Sequence, residues 1–81
     1  MKEVSYRQAA RKALRRMPKK DANRIIEKIE RDASDDIRGL DIKALHGRDG
    51  LRLRVGTYRV LMIDGTVLDV LDVGHRRDIY R

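Results

Sequence analysis

The spacing of apolar positions changes along this 81-residue chain, and each change marks a different kind of element. After residues 2–5, which suit a short strand, Ala9, Ala10, Ala13, Leu14 and Met17 recur at the spacing of one helical face. This predicts a first helix over residues 6–17. Pro18 fits a helix break or a first-turn position, and Ala22, Ile25, Ile26, Ile29 and Ala33 then lay down a second apolar stripe. A second helix should follow at once and end near Ala33. So short a link predicts an antiparallel helical hairpin, with Arg11, Lys12, Arg15, Arg16, Lys20 and Arg24 among the cations on its outer faces.

Over residues 34–50 the periodicity fades. Only Ile37, Leu40, Ile42 and Leu45 pin this segment, which reads as an ordered connection. Then Leu51, Arg52, Leu53, Arg54 and Val55 alternate strictly, sending the leucines and valine to a core and both arginines to the opposite face. Gly56 and Thr57 turn the chain into a strand over residues 58–63. Asp64 and Gly65 signal a two-residue hairpin before another strand over 67–73. These two strands are apolar at nearly every position, which places them centrally with helices over one face. Gly74 ends the run, and residues 78–81 fit a short edge strand. The expected fold is a single α+β domain over residues 1–81, an N-terminal helical hairpin packed on a small, mainly antiparallel sheet of about four strands.

Charge adds a partner class to that outline. Lys and Arg total 20 against 13 Asp and Glu, a formal net charge of +7 with a pI near 10.2, which favours a polyanion and nucleic acid first. The excess is spread evenly, so the chain has no disordered basic tail. With no cysteine, and with only His46 and His75 as imidazoles, neither a disulfide nor a tetrahedral zinc site is available, and no cofactor is expected. No apolar run approaches the roughly 20 residues of a membrane helix, and residues 1–6 lack a signal peptide's apolar core. A cytoplasmic protein without a membrane partner is expected. Three tyrosines without tryptophan or phenylalanine disfavour an aromatic platform for bases.

Glycine-rich phosphate loops, serine or cysteine triads and runs of metal-binding carboxylates are all missing. What remains in the strand-rich half is Arg52, Arg54, Arg59, Arg76 and Arg77, with Tyr58, Tyr80 and His75 beside them. Attack of an RNA 2′-hydroxyl on the neighbouring phosphate needs in-line geometry, charge stabilisation on the phosphorane-like state and groups that handle two protons. Guanidinium groups meet the second need, because they stay charged and offer paired donors to phosphate oxygens. Arginines alternating with leucine equally describe the solvated face of a half-exposed sheet, and spacing does not separate the two readings. His75 fits either a surface histidine or a proton carrier. Tyr80 fits either a ring packed on the core rim or a stacking partner for a base.

The order of parts nevertheless has a counterpart. A helical hairpin, Lys-Ala-Leu-His-Gly at 43–47, Leu-Arg-Leu-Arg-Val-Gly-Thr-Tyr-Arg-Val at 51–60 and Val-Gly-His-Arg-Arg-Asp-Ile-Tyr-Arg at 73–81 together resemble the RelE family of the RelE and ParE toxin superfamily. The resemblance spans nearly the whole chain. It implies a microbial-RNase-like layout, cleavage of messenger RNA in the ribosomal A site, and a neutralising cognate antitoxin. By position it implies catalytic places at Arg54, Arg59, Arg76 and Tyr80, and substrate contacts at Arg52, Lys43, His75 and Arg77. Arg52 and Arg54 stand where some members have lysines. Arginine does not give up its proton, so the general base is open between His75, Lys43 and catalysis by positioning and charge alone. A ParE-like toxin that poisons DNA gyrase by binding it is the alternative within the superfamily. A non-toxic nucleic-acid-binding module is the alternative outside it.

Overall fold

Proline sets the first joint of the fold. In the computed structural model, which describes residues 1–47 and 49–75, helix α1 (Gln8–Arg16) is followed by Met17 and Pro18, both extended at ψ 163° and 136°. The pyrrolidine ring disfavours helical geometry in the residue before it, so α1 ends there and α2 (Lys19–Ala33) starts immediately. The Pro18 carbonyl accepts hydrogen bonds from the N–H groups of Asp21 and Ala22 at 2.9 and 3.1 Å, which begins the new helical ladder.

The far end of α2 closes with a left-handed residue. Asp35, at φ +61°, donates its N–H to Asp32 O, and Asp36 N–H reaches Arg31 O at 2.9 Å, the two bonds of a Schellman cap. Aspartate tolerates this backbone better than most side chains, but glycine is the usual occupant. Ion pairs from Arg31 and Arg38 to Asp36, at 3.3 and 3.2 Å, tie down the connection that follows and hold the Asp36 carboxyl below the usual range.

The strands are β1 (Val4–Tyr6), β2 (Asp41–Ala44), β3 (Leu51–Val55), β4 (Tyr58–Asp64) and β5 (Leu68–His75), in the spatial order β1-β5-β4-β3-β2. The α+β class, the helices and the central place of β4 and β5 agree with the sequence reading. The sheet has five strands instead of about four, and β1 pairs with β5 in parallel, which makes it mixed. The extra strand is β2. It lies at the sheet edge with only Ile42 half-buried, so an alternating pattern could not develop in the sequence. The β4–β5 link spans Gly65, Thr66 and Val67, one residue longer than the expected two-residue turn, and is closed by Gly65 N–H to Val67 O at 3.1 Å. Gly56 and Thr57 do form a two-residue turn, with Gly56 at φ +58°, where a side chain would also strike Arg24. The edge strand expected over residues 78–81 lies outside the described residues.

One sheet face carries the core. Leu53 and Val55 of β3, Val60 and Met62 of β4, and Leu68, Val70 and Val73 of β5 pack with Ala10 of α1 and Ile25, Ile29 and Ala33 of α2. The inward residues of β5 break strict alternation because its register with β4 slips by one residue at Leu71. This bulge puts Asp69 and Asp72 on the outer face together, opposite Ile63 and Leu61. No helix among the described residues is long and apolar enough to cross a membrane.

Two stability outcomes follow. Leu53→Ala leaves a cavity in the core between the sheet and the helices and should cost about 2–5 kcal/mol in urea unfolding, a large share of what so small a domain possesses. Asp35→Gly should raise stability by roughly 0.5–1 kcal/mol in the same assay, since it relieves the left-handed aspartate without removing any ion pair. A loss on Asp35→Gly would mean that the carboxylate has a role beyond the cap.

Candidate active site

The outer sheet face, turned away from the helices, is where strand alternation delivers the basic side chains. Arg54 of β3 stands directly opposite Arg59 of β4, and Lys43 of β2 stands opposite Arg52 of β3. Residues opposite one another across antiparallel strands lie about 4.5–5.5 Å apart at Cβ. Lys43, Arg52, Arg54 and Arg59 therefore form one cluster across three adjacent strands. Gly74 of β5 lies opposite Arg59, so the β5 position directly across from Arg59 carries no side chain.

The four cations are held differently. Arg52 is fixed: its Nη2 donates to Asp41 Oδ1 at 2.8 Å, its side chain is only 12% exposed, and its Nε is buried without a hydrogen-bond acceptor among the described residues. Arg54 and Lys43 are exposed. Arg59 is buried, at 8% exposure, the only buried charged residue among those described. Leu61, next to it on the same face, is buried as well. An anchored guanidinium, a buried one and two exposed cations combine fixed and solvent-facing donors of the kind that suit a phosphate.

His75 is not part of this cluster. It falls in register with Tyr58 on the helix side of the sheet, and the two rings stack with centroids 4.6 Å apart and planes 25° from parallel. Tyr58 in turn donates its hydroxyl to Asp21 Oδ2 of α2 at 3.0 Å. Desolvation and this acceptor raise the Tyr58 phenol above its ordinary range. Of the two titratable candidates for a general base, the arginine face holds Lys43 and not His75. Arg76, Arg77 and Tyr80 lie outside the described residues.

Asp41 and the Asp21–Tyr58 link escaped the sequence reading. Asp41 sits in the stretch without periodicity, so its place beside Arg52 follows only from β2 being a strand. Asp21 and Tyr58 are 37 positions apart and no local pattern joins them. No group of three or more His, Cys, Asp or Glu side chains suited to a metal occurs among the described residues.

Comparison with known proteins bears on the chain as a whole. The family model described as ParE toxin of type II toxin-antitoxin system, parDE, matches residues 4–80. The fold is similar to a chain of the RelB–RelE antitoxin–toxin complex from Methanococcus jannaschii, with 31% identity, a TM-score of 0.77 and 95% of each chain covered. It is also similar to a chain of the archaeal RelE–RelB complex from Pyrococcus horikoshii OT3, with 26% identity, a TM-score of 0.79, and 95% of this chain and 97% of that one covered. A chain of the toxin–antitoxin complex RelBE2 from Mycobacterium tuberculosis shares the fold at 24% identity and a TM-score of 0.73, over 93% of this chain and 98% of that one. No curated protein sequence matches significantly.

Like charges facing each other across a strand pair destabilise a sheet, by a few tenths to about 1 kcal/mol. Arg54 stands opposite Asp41 of β2 as well as Arg59 of β4, so Arg54→Gln removes an attraction together with the repulsion and should leave the thermal midpoint nearly unchanged at low and at high salt. A salt-independent loss of stability would show that Arg54 makes a structural contact instead.

Proposed function

The chain belongs to the ParE toxin family of type II toxin–antitoxin systems, and we propose that, as the toxin of such a pair, it is an endoribonuclease cutting messenger RNA in the ribosomal A site. The observation that carries this reading is the cluster of Lys43, Arg52, Arg54 and Arg59 on the one sheet face that the helices leave uncovered.

In this reading the 2′-hydroxyl of one nucleotide attacks the adjacent phosphorus, the P–O5′ bond breaks, and a 2′,3′-cyclic phosphate is left on the upstream fragment. Arg54 and Arg59 bind the scissile phosphate and stabilise the added charge on its equatorial oxygens. Such donors act most strongly when they are already in place before the charge develops. Arg52, oriented by Asp41, supports the neighbouring phosphate, and Lys43 borders the same surface. Arg76 and Tyr80 complete the set by their match to the family pattern, as transition-state cation and base-stacking ring, with Arg77 as a further backbone contact. Arginines do not serve as general base, so rate enhancement rests chiefly on positioning and charge, with Lys43 the amine nearest to hand.

The partner expected for such a toxin is a cognate antitoxin, as in the RelB–RelE complexes to which the chain is similar. Covering the arginine face would deny it to RNA. The specific observation favouring a second reading, inhibition of DNA gyrase by protein binding, is the family description itself, which is that of a ParE toxin.

Induction of the protein in growing cells, with primer-extension mapping of 5′ ends on a translated message and an untranslated control, separates the two. Cuts confined to translated codons, reduced about 10²–10³-fold in rate by Arg54→Ala or Arg76→Ala, are the expected result. Growth arrest without cuts would replace this reading with gyrase inhibition, and cuts unaffected by both variants would remove the site assignment.

A further inference from the structure

Behind the sheet, on the side away from the arginine face, the α1–α2 junction and the end of β5 enclose a second recess. Its volume is about 400 Å³, within the range of small-ligand pockets. Met17 and Pro18 from the junction and Val73 from β5 give it an apolar wall, Tyr58 and His75 give it stacked rings, and Arg16 gives it a cation.

Three features separate this recess from an ordinary surface hollow. The ring pair is braced, because Tyr58 is held by Asp21 and cannot rotate away without losing that bond. His75 is exposed although it stacks on Tyr58, so imidazole surface remains available. The recess has its own cation in Arg16, and the junction that forms it continues into the exposed Lys19 and Lys20 at the start of α2. The carboxylate next in the chain, Asp21, is engaged by Tyr58. Arg24 reaches the same end of the sheet, its Nη2 lying 2.9 Å from where a Cβ on Gly56 would stand.

Stacked rings beside an apolar wall and permanent cations are the elements by which proteins hold single-stranded nucleic acid: the ring takes a base face and the cation takes the phosphate. A base also suits the apolar wall, as a bare inorganic anion does not. We propose that this recess is an accessory nucleotide site, which binds one base of a single-stranded RNA against His75 and its phosphate against Arg16, on the opposite side of the sheet from the arginine cluster. The inference rests on RNA being the substrate and adds a second point of contact. An RNA strand that engages both surfaces is held more tightly than by either alone, because the second contact is made at the high effective concentration set by the first.

The test is an NMR titration of the full chain with an uncleavable 12-nucleotide 2′-O-methyl RNA, following the His75 ring Cε1–Hε1 signal and the methyls of Leu61, which shares the face of Arg59. The expected result is movement of the His75 signal. His75→Ala should weaken overall RNA affinity about tenfold, in the range of one lost stacking contact. Arg16→Gln should lower the log–log salt slope by about 0.7, one single-strand phosphate contact. Arg54→Gln should leave the His75 shift in place. Movement of the Leu61 methyls with a still His75 signal would overturn the accessory site while leaving the RNA reading intact. A His75 shift abolished by Arg54→Gln and untouched by Arg16→Gln would also overturn it, since the perturbation would then come through the sheet. No movement at either surface would remove both readings.

Discussion

A strand offers its side chains to two faces in strict turn, and on β3 and β4 this period of two ties the core to the candidate chemistry. Leu53, Val55, Val60 and Met62 are buried because α1 and α2 cover their face. Arg52, Arg54 and Arg59, interleaved with them, are thereby forced onto the other face and into one cluster. A slip of one residue between β3 and β4 would send arginines under the helices and leucines into water, so register here is fixed by a large hydrophobic difference. The position of the cations is thus a by-product of the strongest term in folding. They need no dedicated scaffold.

That arrangement has a cost, and the structure distributes it. Arg54 and Arg59 oppose each other as like charges, while Arg59 is also buried. Arg52 is compensated by Asp41 from the edge strand, which gives β2 a purpose that its weak hydrophobic pattern does not suggest. The bulge at Leu71 moves Asp69 and Asp72 together onto the outer face of β5. With Asp41 the one carboxylate among the four cations of β2, β3 and β4, the cluster keeps a positive excess, which favours an anion such as the proposed substrate.

Much of this was legible in the sequence, for reasons that differ between elements. The alanine and isoleucine stripes of α1 and α2 repeat at helical spacing, and Pro18 separates them, so both helices could be read to within two residues. The alternation at residues 51–55 fixed not only a strand but which of its side chains would share a surface. The edge strand β2 could not be read, since a strand with one half-buried side chain has no period to detect. The side of the sheet taken by His75 was also hidden. It depends on where the β5 bulge falls, and in residues 67–73, where Asp69 and Asp72 are three positions apart, the sequence does not show which residue is the extra one. Sequence adjacency to Arg76 therefore suggested a neighbour for the arginine cluster where register gives a partner for Tyr58.

The separation of His75 from the cluster narrows the chemistry open to this sheet. A reaction run by guanidinium groups can bind, align and neutralise a phosphate, but the guanidinium groups accept no proton, which must pass to another group, to phosphate oxygens or to water. Such a site gains most when another body aligns the 2′-hydroxyl with the phosphorus, because alignment is the requirement that fixed charge meets least well. A ribosome presenting a message in a defined conformation is a supplier of that alignment. On this argument the arginine-for-lysine exchange at 52 and 54 makes the proposed reaction more dependent on its host particle, since the proton-transfer contribution that a desolvated lysine brings has been given up for a stronger and permanent grip on the phosphate.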